Sequence, residues 1–198
     1  MIAYLYIDES VPNGTQGQDA ELLADEMLVA LNKPGYDSIA RIQFTYPRGH
    51  TYDWDRENNR VRVQWDENDV TLDLNQGAEN YDATEYQAYE YFINDSFWLV
   101  APFKVRDKGV NRSTVEVKNG RGLLVSYASG GLTPGDSYLW IIDNNGFPTS
   151  WKLYTSNVPI GGLEIGWGGW TEKGGVWFST FHPSKVIDLE ITGLEVSF

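Results

Sequence analysis

Between residues 19 and 31 apolar side chains recur at spacings of three and four. Leu22, Leu23, Met27, Leu28 and Leu31 fall together, with Glu21, Asp25 and Glu26 set off from them. That period predicts a helix with one buried side, begun by Asp19 as a cap and stopped at Asn32-Lys33-Pro34-Gly35. The period then changes to two. Ile42, Phe44 and Tyr46 alternate with Arg41, Gln43 and Thr45, and Tyr52/Trp54, Val61/Val63/Trp65 and Val70/Leu72/Leu74 continue the alternation. Short connections rich in turn formers separate these runs, so four strands pair antiparallel as a meander with one wet face. Thr84 with Gln87 has capping-box spacing and predicts a second helix from Glu85 to about Ile93, which Asn94-Asp95-Ser96 breaks. The apolar run Phe97 to Phe103 then reads as a plug.

The second half is again strand-like. Thr114 to Lys118 and Gly122 to Ala128 flank Asn119-Gly120, a pair favoured in two-residue hairpin turns. Further strands are expected at residues 137–143, 150–155, 162–167, 176–182 and 186–196, about ten in all. Leu123-Leu124-Val125 and Tyr138 to Ile142 are apolar on both alternating sets, so both faces of the sheet there should be covered. No repeat or linker divides the chain. The reading is a segment over 1–18 followed by a single domain over 19–198.

Composition narrows the function. Lys and Arg number 15 against 28 Asp and Glu, a net charge of −13 with no basic block, which leaves no footprint for nucleic acid. The absence of Cys removes disulfides, thiolate metal sites and a cysteine nucleophile. With 8 Trp, 12 Tyr and 8 Phe the chain has ample material for a core. The apolar start, Ile2 to Ile7, is shorter than a membrane span of about 20 residues or a typical signal core. It reads either as the stub of a removed N-terminal membrane anchor or as an edge strand.

The order of a short helix, an antiparallel meander, a central helix and the block Tyr138-Leu139-Trp140-Ile141-Ile142-Asp143 with Gly146 and Pro148 resembles the lipoprotein-carrier (LolA-like) superfamily. Runs such as Asn94-Asp95-Ser96-Phe97-Trp98 and Gly130 to Tyr138 resemble uncharacterised bacterial envelope proteins of that type. The resemblance implies an α+β fold in which a curved antiparallel sheet forms an incomplete barrel, closed by a few helices over an apolar cavity. It implies a periplasmic or envelope location and a lipid, an acylated protein or another apolar ligand as partner. Trp65, Trp98, Phe103, Tyr138 and Trp140 are the expected lining. The chain departs from the carriers in its Trp content and in the Gly-rich stretch 161–175.

Other constellations carry less. Asp53 and Asp55 share a strand face near His50, which would suit a cation, yet a solvated strand face explains them as well, and the same holds for Asp69 and Asp73. Asp188 and Glu190 would be paired carboxylates of the kind a glycosidase needs, but they alternate with Ile187, Leu189 and Ile191 as in an ordinary half-buried strand. No Gly-x-Ser-x-Gly elbow or phosphate loop occurs. Residues 161–175 read as turns at a sheet rim, and Thr133 to Asp136 as a tight loop. No catalytic set, metal or cofactor is therefore assigned. Three classes remain: a non-enzymatic carrier of an apolar ligand, a glycan-binding or glycan-cleaving domain using exposed Trp, and a protein-docking scaffold.

Overall fold

The computed structural model describes residues 8–128, 135–156, 161–185 and 187–198. In chain order the first half contains α1 (Gln18–Ala30), α2 (Lys33–Ser38), β1 (Arg41–Tyr46), β2 (His50–Asp55), β3 (Arg60–Trp65), β4 (Asn68–Asp73) and α3 (Ala83–Val100). The second half contains β5 (Val110–Val115), β6 (Arg121–Tyr127), β7 (Ser137–Ile142), β8 (Pro148–Tyr154) and β9 (Leu163–Gly166). It ends with β10 (Gly168–Lys173), β11 (Val176–His182), β12 (Leu189–Glu190) and β13 (Thr192–Ser197). Neighbouring strands pair antiparallel, which makes this an α+β protein built mostly of antiparallel sheet.

Two compact units are present. One comprises the described parts of Met1–Leu31, Lys104–Trp167 and Pro183–Ile187, and the other Asn32–Phe103, Gly168–His182 and Asp188–Phe198.

The unit containing α1 has a five-stranded sheet in the order β5-β6-β7-β8-β9. Its register sets Leu123 opposite Trp140 and Trp140 opposite Trp151. Those side chains share a face with Arg112 and Arg121, which reach Glu21 and Glu26 of α1, so α1 covers that face. The opposite face carries Leu124, Leu139 and Tyr154, all buried. Both faces are covered, as the doubly apolar pattern predicts. Trp140, Trp151 and Trp167 meet in a cluster with ring centroids 4.8 to 4.9 Å apart.

In the other unit, β13-β1-β2-β3-β4 form a five-stranded sheet and β10-β11-β12 a three-stranded one. The alternation expected over 41–74 is present: Ile42, Phe44, Tyr52, Val61, Val63, Trp65 and Leu72 are buried. The opposite face is polar and laced with Arg41–Asp53 and Arg62–Asp69 pairs. Only Ile191 separates β12 from β13, and its N–H donates 2.8 Å to the Thr180 carbonyl, which carries the pairing with β11 through the break. α3 lies across the strands. Tyr91 packs on Trp65 of β3, Phe92 on Tyr52 and Trp54 of β2, and Trp98 on His182 of β11. An 18-residue helix is ~27 Å long, enough to cross the four inter-strand spacings from β4 to β13 at ~4.8 Å each.

Several local expectations are corrected. No side chain caps α1, and Asp19 lies in its first turn. The buried side of α1 is Ala20, Leu23, Ala24, Met27, Leu28 and Leu31, while Leu22 is 50% exposed. The Asn32 to Gly35 stretch ends α1 but also starts α2, because left-handed Asn32 (φ 59°) turns the chain and its side chain accepts from the Gly35 N–H at 3.1 Å. The cap of α3 is Asp82 with Glu85, each side chain accepting from the other's N–H, and the helix runs straight through Asn94-Asp95-Ser96. Burial of Asp95 and Ser96 overrides their weak helix preference. The run expected as a plug is thus the last turn of α3 and a 3-10 turn at Ala101–Lys104.

The hairpin at Asn119-Gly120 exists, but Val115 pairs with Gly122, so its loop is longer than two residues. A two-residue type I′ turn needs positive φ at both centres, and of this pair only Gly120 has it, at 77°. Residues 168–173, read as rim turns, form β10 against β11, which brings the strands to thirteen among the described residues. The last expected strand is divided into β12 and β13. Its start at Val186, the Ile2 to Ile7 readings and Thr133-Pro134 lie outside the described residues. No helix among the described residues is long and apolar enough to cross a membrane.

Candidate functional site

The β1–β2 hairpin and the middle of α3 bring together a buried polar set. His50 and Tyr52 are two apart on β2 and so share a face with Trp54, turned away from the solvated side that holds Asp53 and Asp55. From α3, Asp95 meets them. Its Oδ2 accepts from the Tyr52 hydroxyl at 2.5 Å and lies 2.7 Å from His50 Nδ1. His50, Tyr52 and Asp95 are 8%, 3% and 7% exposed. Tyr91, one helical turn before Asp95, lays its ring 4.2 Å from the His50 ring, and Tyr46 closes the hairpin opposite His50.

Electrostatics follow from this burial. Desolvation pushes the Asp95 carboxyl up from its ordinary value, opposed by the hydrogen bonds from Tyr52 and His50 and by the charges of His50 and Arg48. Tyr46 and Tyr52 are pushed up, first by burial and then by the Asp95 charge. Arg48 occupies the turn with φ 90°, a conformation costly for a side chain with a Cβ, and its charge acts on Asp95 and Tyr46 from there. Perturbed groups gathered at a strained turn are the physical signature of a candidate site. With Nδ1 directed at Asp95, His50 keeps Nε2 for a second partner. The set is a buried hydrogen-bonded cluster among aromatic rings, and none of its three members lines either groove described below.

The sequence-derived residues are placed as follows. Trp65 packs at 5.6 Å on Tyr91, next to this set. Phe103 stacks on Tyr36 at 4.1 Å and Trp98 on His182 at 5.4 Å, both in the same unit but in contacts of their own. Tyr138 and Trp140 belong to the other unit, in the Trp151 cluster. Three of the five therefore lie in one unit and two in the other. His50 is separated from Asp53 and Asp55: Asp53 is held by Arg41, and Asp55 accepts from the Asn58 N–H at 3.0 Å. Asp188 precedes the short β12, Glu190 lies on it, and both are exposed, without the burial a catalytic acid requires. Among the described residues no group of three or more potential metal ligands occurs. Sequence reasoning passed over Asp95 because it took Asn94-Asp95-Ser96 as a helix break. The signal that could have found it was a charged residue at a position a continued helix would bury.

The same unit also carries an open groove of about 540 Å³ whose lining includes Asp37, Trp54, Arg56, Asn59 and Phe198. A second of similar size lies against α1, lined by Leu22, Leu23, Val115, Val117 and Gly122. None of the five expected lining residues borders either groove. Comparison of the chain with protein-family models and with curated proteins found no match.

Proposed function

We propose that this chain is a non-enzymatic envelope protein that binds or carries a lipid, an acylated protein or another apolar ligand, as its resemblance to the lipoprotein carriers implies. The observation that supports the reading is α3 lying over an aromatic sheet face with the His50–Tyr52–Asp95 set buried beneath it. An acyl chain lodged between α3 and Phe44, Tyr52, Trp54 and Trp65 would gain ~0.8 kcal/mol per CH₂ buried, and the polar set would receive its head group. Contact of α3 with both β4 and β11, which belong to different sheets of its unit, supports the finer picture of a curved, incomplete barrel. Native mass spectrometry of protein exposed to a native membrane fraction without detergent, with solvent extraction, tests this. A near-stoichiometric lipid or acyl species is expected, and a clean apo mass overturns it.

The groove with Trp54, Arg56 and Phe198 favours a second reading, a glycan-binding surface, because a half-exposed Trp beside polar side chains can stack on a sugar ring. Binding on a glycan array that Arg56→Ala abolishes would select it over the first.

A further inference from the structure

The geometry points to a second binding site, at the start of α3, for an alkylated ammonium group. Tyr81, just before the cap, and Tyr86, in the second turn, both pack against Tyr89. Ring centroids are 5.7 Å apart for Tyr81–Tyr89 and 6.3 Å for Tyr86–Tyr89, with planes tilted by 51° and 46°. Tyr86 is 42% exposed and the other two are half-buried, so the rings form a wall that solvent reaches. The Tyr81 hydroxyl donates 2.9 Å to the Asp73 carbonyl, which fixes that ring in place.

Charge selects the ligand. From Leu74 to Phe103 the chain has no Lys, Arg or His, but it has Glu79, Asp82, Glu85, Glu90 and Asp95. Asp82 and Glu85 are bound to the N-terminal N–H groups of α3, and their two carboxylates outweigh the roughly half positive charge of a helix end. Carboxylates make themselves felt at the rings: burial, then Tyr89, Asp73 and Glu85 push the Tyr81 hydroxyl up. The solvent-facing sides of these packed rings, flanked by Asp82 and Glu85 and with Arg60 held 4.0 Å from Asp73, attract a cation that sheds water easily, and a methylated ammonium does so more readily than a bare one. The chemistry is that of a trimethylammonium group, free in solution or carried on a lipid head.

Titrating the full chain with tetramethylammonium and with choline, followed by tyrosine ring NMR shifts, tests the site. Shifts of Tyr81, Tyr86 and Tyr89 that saturate in the millimolar range are expected. The neutral tert-butyl analogue of choline should bind at least tenfold more weakly. Tyr86→Leu should weaken the ammonium about two- to fivefold, and Tyr86→Phe should leave it within twofold. Vesicles with choline head groups compared with vesicles lacking them assign the source: retention on the former alone marks a lipid head, and binding of free choline without retention marks a soluble ligand. Absence of ring shifts with tetramethylammonium or choline up to about 100 mM beyond those given by equal NaCl, equal binding of the neutral analogue, or an unchanged affinity in Tyr86→Leu overturns the site.

Discussion

Replacing Tyr52 with Phe removes one hydroxyl and almost nothing else. The ring keeps its stack on Phe44 at 4.7 Å and its contact with Phe92 at 6.0 Å, so no cavity opens. What is lost is the 2.5 Å donation to Asp95 in a place where neither group reaches water. A hydrogen bond to a charged group contributes ~1.5–3 kcal/mol, so Tyr52→Phe should cost about that much near neutral pH, a fall in Tm of roughly 3–12 °C for a chain of this length. The loss also depends on pH. Burial raises the Asp95 carboxyl in the folded state, so the folded chain binds that proton more tightly than the unfolded one. Stability from this group is highest below the unfolded value of about 3.9 and declines as pH rises toward the folded value. The Tyr52 bond pulls the carboxyl down, and its removal lifts the folded value further and widens the window of decline. The difference between the two proteins should therefore be smallest below about pH 4, where a neutral bond contributes ~1 kcal/mol, and grow to a plateau above. Urea titrations from pH 3 to 8, read by the circular dichroism of the helices, give both curves. A cost under about 0.5 kcal/mol at pH 7, or one that does not change with pH, refutes a buried Asp95 carboxylate held by Tyr52.

Asp82→Ala removes an acceptor for the Thr84 and Glu85 N–H groups at 2.8 and 2.9 Å and should cost ~1 kcal/mol, with faster amide exchange confined to the first turn of α3. Trp140→Ala, at a fully buried ring 4.8 Å from both Trp151 and Trp167, should cost ~3–5 kcal/mol in denaturant titration. Leu22→Ala should stay within about 0.5 kcal/mol of the parent, while Leu23→Ala, 6% exposed on the neighbouring position, should cost ~2–5 kcal/mol. Equal effects at the two leucines would mean that α1 is rotated on its sheet.

What the sequence disclosed was set by how local the cause is. β1 to β4 follow from alternation because one face of that sheet is solvated and the other packed, so each side chain records its own environment. β10 escaped because Gly168 and Gly169 carry no side chain to show a period, and its order comes from pairing with β11. α1 was legible as a helix but misjudged in its rotation, since Ala20 and Ala24 are small enough to approach the sheet and Leu22 is left outside. α3 was read at half its length because Asn94-Asp95-Ser96 has the chemistry of a break, and only Tyr52 and His50, more than forty residues away, supply the partners that keep Asp95 inside a helix. The candidate site is a non-local object of the same kind: its members come from a strand pair and a helix separated by two further strands and three connections.

The position of β13 has a consequence for biosynthesis. It fills the side of β1 that β2 does not, and with β12 it is the seam between two sheets of its unit. A ribosome delivers β1 about 150 residues before β13, an interval of roughly 7 to 30 s at ~5–20 residues per second. Throughout it, Arg41–Tyr46 offers a bare row of backbone donors and acceptors, the template on which a neighbouring nascent chain could add a strand of its own. Yield of this protein should thus respond to translation speed and to chaperones that shelter strand edges.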